Sequence, residues 1–170
     1  GLCHCIPSFV DGCVYDDDIN TITLIGECNT AIADTDTHCS TNAYDDRTAE
    51  APVKMIAGNT YSGYMNSDFF CCEDVEVWID LDDDGTFSSS ESVGYINSLG
   101  SSLTSYSISI PSTAPIGAHI MRVGLSFFGG SPGMDPCFPG SSGWYDGEVH
   151  DYTINIVPSS KPSITSNSSS

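Results

Sequence analysis

The chain has 170 residues, a length that suits one domain of ordinary size with or without a tail. Its 23 Asp and Glu residues against four Lys and Arg leave a formal net charge of −19. So acidic a surface repels phosphate backbones and anionic lipid and attracts divalent cations, which excludes nucleic-acid binding. No apolar run approaches the ~20 residues that cross a bilayer, so membrane insertion is excluded as well.

Eight cysteines run along the chain: Cys3, Cys5, Cys13, Cys28, Cys39, Cys71, Cys72 and Cys137. An even number with no CxxC pair argues against a zinc ribbon and for disulfides formed in an oxidising compartment. The expectation is a secreted or cell-surface protein with all eight cysteines in staples, whose pairing their order does not reveal.

Residues 1–16 place three of these cysteines in a short acidic segment, read as a stapled N-terminal loop. No signal peptide is visible, so Gly1 reads as the start of a mature, processed chain. Helical periodicity is nearly absent thereafter, and period-two alternation recurs instead. Weak strand candidates are 19–25, 60–65 and 92–96. A strong one sets Val75, Val77 and Ile79 against Glu76, Trp78 and Asp80.

That strand runs into DLDDDGTFSSSE, residues 80–91. Asp80, Asp82 and Asp84 stand at positions 1, 3 and 5, Gly85 at 6 and Glu91 at 12, the spacing of a calcium loop. Alternate carboxylates of a tight loop point at a common centre, the glycine takes the sharp turn, and Ca²⁺ wants several such hard oxygens. Thr86 is expected to offer its carbonyl, Ser88 a hydroxyl or a bridging water, and Glu91 two closing oxygens, while Phe87 tucks the loop onto the core. The flanks read as strands, so this is a β-to-β connection and not an EF-hand. Calcium here is expected to clip structure and not to signal.

Further strands follow. Tyr106, Ile108 and Ile110 alternate with serines, and Met121, Val123, Leu125 and Phe127 share one face of a long strand with Arg122, Gly124 and Ser126 on the other. Residues 129–147 form a Gly/Pro/Ser loop bearing Phe138, Trp144 and Tyr145. Trp144 and Tyr145 are candidates for stacking on a sugar, against a competing role as a cap on the core. The last strand carries GEVHDY, in which Glu148 or Asp151 is expected to pair with Arg122 as a structural ion pair, and His150 reads as a partly exposed strand residue. Residues 158–170 are Ser/Thr/Pro-rich and read as a linker or stalk, with a glycosylation sequon at Asn167. The fold class is therefore all-β: residues 1–157 form a single disulfide-stapled sandwich of jelly-roll kind, followed by the tail.

Three segments together resemble the GEVED domain of secreted and cell-surface proteins: VEVWIDLDDDGTFSSSES (75–92), IPSTAPIGAHIMRVGLSF (110–127) and GEVHDYTINI (147–156). Trp78, Ile79, Asp80, Gly85 and Phe87 match the first motif. Pro111, Ala114, Gly117, Met121 and Arg122 match the second, and Gly147, Glu148, Val149, Asp151 and Tyr152 the third. His150 replaces an acid of the family pattern, and Ile120 an arginine. The resemblance implies a non-catalytic β-sandwich appended to surface proteins or secreted enzymes.

No nucleophile, zincin or phosphate-loop motif is present, so no enzyme activity is expected. The expected function is an extracellular calcium-binding structural or assembly module, partnered with itself in a filament or coat or serving adhesion to surface proteins. The alternative is a carbohydrate-binding accessory module of a secreted enzyme or adhesin, recognising extracellular glycans.

Overall fold

Short runs of β-branched and aromatic residues, broken by Gly, Ser, Asp and Pro, build strands because only a pleated, half-buried surface uses their alternation. The computed structural model describes residues 4–69, 71–144 and 146–159. The strands are β1 (Thr21–Ile25), β2 (Ala31–Asp34), β3 (Tyr44–Asp46), β4 (Val53–Met55), β5 (Thr60–Asn66), β6 (Glu73–Ile79), β7 (Ser92–Leu99), β8 (Thr104–Ser109), β9 (Gly117–Phe127) and β10 (Gly147–Ile156).

Two sheets result. One has the order β2-β1-β5-β8; the other has the order β3-β10-β9-β6-β7, with β4 also pairing β10. β3 and β4 run parallel to the two ends of β10, and β9 pairs with β10 over its whole length. The fold is the expected all-β one. β2, β3 and β4 were not foreseen, because three or four residues with polar neighbours give too few alternations to register.

Between the sheets lies the main core, to which Ile22, Leu24 and Met65 contribute from one sheet and Val75, Val77, Val123 and Ile154 from the other. The outer face of the larger sheet is not solvated either. There Trp78, Phe87, Met134, Phe138 and Val149 form a second cluster, with Phe9 and Trp144 packed on its edge. The covering residues come from the N-terminal segment and the 129–147 loop, and the Cys5–Cys137 disulfide ties the two together. Gly124 of β9 makes room for this lid: a Cβ there would run into the Phe138 ring and press on Trp78.

Cys13 pairs with Cys39 and Cys71 with its neighbour Cys72. Six of the eight cysteines expected in staples are thus paired among the described residues. Cys28 sits exposed in the β1–β2 turn and joins no disulfide among the described residues. Cys3, Tyr145 and tail residues 160–170 lie outside the described residues. Among the described residues, no helix is long and apolar enough to cross a membrane.

Candidate cation site

The strand β6 ends at Ile79, and the chain then turns sharply through 80–91 before β7. Asp83 and Gly85 both take left-handed backbone (φ 54° and 86°), the sharp bends that bring alternate side chains inward. One oxygen each from Asp80, Asp82 and Asp84 lies within 4.8 Å of the others. Asp80 is buried, whereas Asp82 and Asp84 face solvent. Three carboxylates gathered so tightly repel one another unless something positive lies among them.

Asp80 anchors the group. Its Oδ2 accepts from the Gly85 N–H (3.0 Å) and lies 2.8 Å from His4 Nε2, and its Oδ1 accepts from the Asp84 N–H at 3.2 Å. The His4 ring stacks on Phe87, whose burial in the outer cluster pulls the loop inward. His119, itself buried, contacts Asp83 Oδ1 through Nδ1 at 3.0 Å and fastens the loop to β9. Partial desolvation pushes the Asp82 carboxyl up, and the charges of Asp84, Glu91 and Asp80 add to this. Asp84 moves the other way, held down by hydrogen bonds from the Thr86 hydroxyl and N–H.

Glu91 departs from the expected role. One of its oxygens accepts the Leu81 N–H (2.8 Å), and the other accepts the N–H and hydroxyl of Ser88 (2.8 and 2.9 Å). It closes a capping box on the short helical turn Ser89–Glu91 and locks the two ends of the loop, outside the group of converging carboxylates. Thr86 turns its hydroxyl and N–H to Asp84, which leaves its carbonyl the one ligand atom expected of it, and the Ser88 hydroxyl is spent on Glu91 and Ser90. The side chains brought together are thus those of Asp80, Asp82 and Asp84. Hard, anionic oxygens on a tight loop suit Ca²⁺, with water completing its sphere.

The outer face of the larger sheet carries the ion pair. Arg122 is fully buried and meets Asp151 side-on, through Nε at 2.8 Å and Nη2 at 2.7 Å. Its remaining donors go to the carbonyls of Pro136 (2.8 Å) and Cys5 (2.9 Å), so the guanidinium pins both halves of the lid. Phe87 lies over the guanidinium, 4.8 Å from ring centroid to Cζ. Tyr44 donates to Asp151 Oδ2 at 2.9 Å.

Glu148 takes no part in that pair. Successive residues of β10 face opposite ways, so Glu148 points into the sandwich where Asp151 points out. It accepts the N–H groups of Ile19 (2.8 Å) and Ser40 (2.7 Å), and lies 3.3 Å from His150 Nε2. Burial raises its carboxyl, but His150 and these donors outweigh burial and hold it below its ordinary value. His150 is itself fully buried, contrary to the expectation of a partly exposed strand histidine. Its other nitrogen contacts Tyr152 Oη at 3.2 Å, and Tyr152 donates to Asp34.

Trp144 packs edge-on against Phe138 with ring centroids 5.2 Å apart, which places it on the rim of the outer cluster. Sequence reasoning missed His4, His119 and Asp83 as fasteners of the loop. No local pattern links His4 to a carboxylate 76 positions away.

No curated protein and no solved structure matches this chain significantly. Residues 74–155 match the family model of the GEVED domain, and this span contains all but the first residue of β6, the carboxylate loop, β7, β8, β9 and all but the last residue of β10. That segment, residues 74–155, is a GEVED domain, as its motifs suggested.

Proposed function

We propose that this chain is a non-catalytic, extracellular structural module that binds one Ca²⁺ ion in the 80–91 loop and assembles with copies of itself at a cell surface. The observation that carries the calcium reading is the convergence of Asp80, Asp82 and Asp84 within 4.8 Å. The ion would offset repulsion within the loop and fix the turn between β6 and β7. Secretion is supported by the disulfides, since a reducing cytosol does not maintain them. Self-assembly is supported by a rigid, doubly covered sheet and by the high negative charge, which calcium would screen when subunits approach.

The carbohydrate-binding alternative is less well supported, because Trp144 already spends one edge on Phe138.

The test is thermal unfolding of the full chain in calcium and in chelator. Saturation at 100 times the dissociation constant adds about 2.7 kcal/mol of stability. The melting temperature should rise with calcium in the wild type, and the rise should disappear in Asp82→Asn/Asp84→Asn. Equal melting in calcium and chelator contradicts the calcium reading. Sedimentation in calcium tests assembly, and a monodisperse monomer at high concentration contradicts that part alone.

A further inference from the structure

A second group of ligating side chains lies at the other end of the sandwich. The 80–91 loop hangs from the end where β6 stops. Asp68 follows β5 at the end where β6 starts, since Ser67 bonds Gly100 and Glu73 of β6 lies opposite Leu99. There Asp18, His38 and Asp68 each bring one ligand atom within 4.8 Å of the others.

Three separate connections deliver these residues. Asp18 precedes β1 and is buried, His38 lies between β2 and β3, and Asp68 follows β5. The Asp68 N–H donates to Asp18 Oδ1 at 2.9 Å, which draws the two carboxylates together. His38 Nδ1 lies 3.1 Å from Asp68 Oδ2. With like charge so close, burial and then Asp68, Glu148 and Asp16 push the Asp18 carboxyl up to about 6, although the Asp68 N–H works against them. Among the described residues, both arginines are committed elsewhere, Arg47 to Asp34, Asp45 and Glu50 and Arg122 to Asp151.

Asn20 supplies the independent observation. It is only 8% exposed, and its amide nitrogen donates to Asp68 Oδ1 at 2.6 Å, which brings the amide to the cluster. Its amide oxygen is sealed from solvent and meets no donor among the described residues. A buried oxygen without a donor is costly. His38 offers Asp68 a single nitrogen, and a metal cation would satisfy the two carboxylates, the imidazole and this oxygen together. An imidazole nitrogen among these oxygens favours a borderline transition-metal ion over calcium, which prefers an all-oxygen shell.

We infer that Asp18, His38 and Asp68, together with the amide oxygen of Asn20, form a Zn²⁺-binding site separate from the carboxylate loop. The ion ties the segment before β1 and the β2–β3 connection to the end of β5. Exposed His38 and Asp68 leave it open to solvent on one side.

The test is calorimetric titration of Zn²⁺ into the full, chelator-stripped chain near neutral pH. The wild type should take up zinc saturably at this site. His38→Ala and Asp68→Asn, both at surface positions, should each weaken uptake at least ~10-fold with the β-sheet circular dichroism unchanged. Asp82→Asn/Asp84→Asn should leave it intact, so failure of the calcium reading is distinguishable from failure of this one. Co²⁺ in place of zinc should give a visible absorption band that His38→Ala removes. Zinc uptake of wild-type strength in both His38→Ala and Asp68→Asn, or no saturable uptake by the wild type, overturns the inference.

Discussion

At the residue scale, the buried charges make the sharpest demands. Arg122 is sealed beneath Phe87 and the Cys5–Cys137 staple, and its bidentate partner Asp151 has no other cation. Arg122→Ala leaves that carboxylate buried and uncompensated, a loss of about 3–5 kcal/mol that urea unfolding will register. Glu73 presents the opposite case. Both its oxygens are buried without a donor among the described residues, and its carboxyl is held well above the usual carboxylate range by burial first and then by Asp17. A carboxyl raised in the folded state stabilises fully below its unfolded value of ~4.3, and that contribution is lost as pH rises toward the folded value. Glu73→Gln keeps the shape without the charge. It should therefore match or exceed wild-type stability at pH ~7 and flatten the decline of stability from pH ~5 to ~8. A steep loss of stability in this variant, measured by urea unfolding across that range, contradicts a protonated Glu73.

At the scale of elements, β6, β9 and β10 were legible because each alternates over many residues. Trp78, Ile79 and Asp80 also carried the family resemblance directly. The burial of their second face was not legible. A period-two strand with Glu76 and Arg122 on one side reads as half-solvated, yet Glu76 accepts the N–H groups of Gly133 and Met134 beneath the lid. The lid itself is Gly/Pro-rich chain with no period, so nothing in its sequence announces that Met134 and Phe138 turn inward. Gly124 shows the fit of strand to lid. Gly124→Ala forces a methyl against the Phe138 ring, and overpacking of this kind costs about 1–3 kcal/mol. Chemical denaturation should show that loss, and Phe138→Leu should relieve part of it.

At the scale of the whole molecule, composition pointed to disulfides, which the fold contains, but not to their connections. The Cys5–Cys137 link spans 132 positions, and nothing in the spacing of the cysteines selects it. The same long-range geometry hid the cluster of Asp18, His38 and Asp68, which are brought together only when β1 pairs with β5. The carboxylate loop, by contrast, is local, and its motif was readable in one window. Even there the motif misassigned Glu91, because the capping box of the following turn claims one of its oxygens and the Leu81 N–H the other. Calcium binding, as proposed, therefore needs three aspartates where the motif offers four acids. Calorimetric titration of Ca²⁺ into the chelator-stripped chain, beside Asp82→Asn/Asp84→Asn and Glu91→Gln, tests this most directly. Saturable binding that vanishes in the double variant and persists in Glu91→Gln is the predicted result; binding unchanged in the double variant, or absent from the wild type, contradicts it.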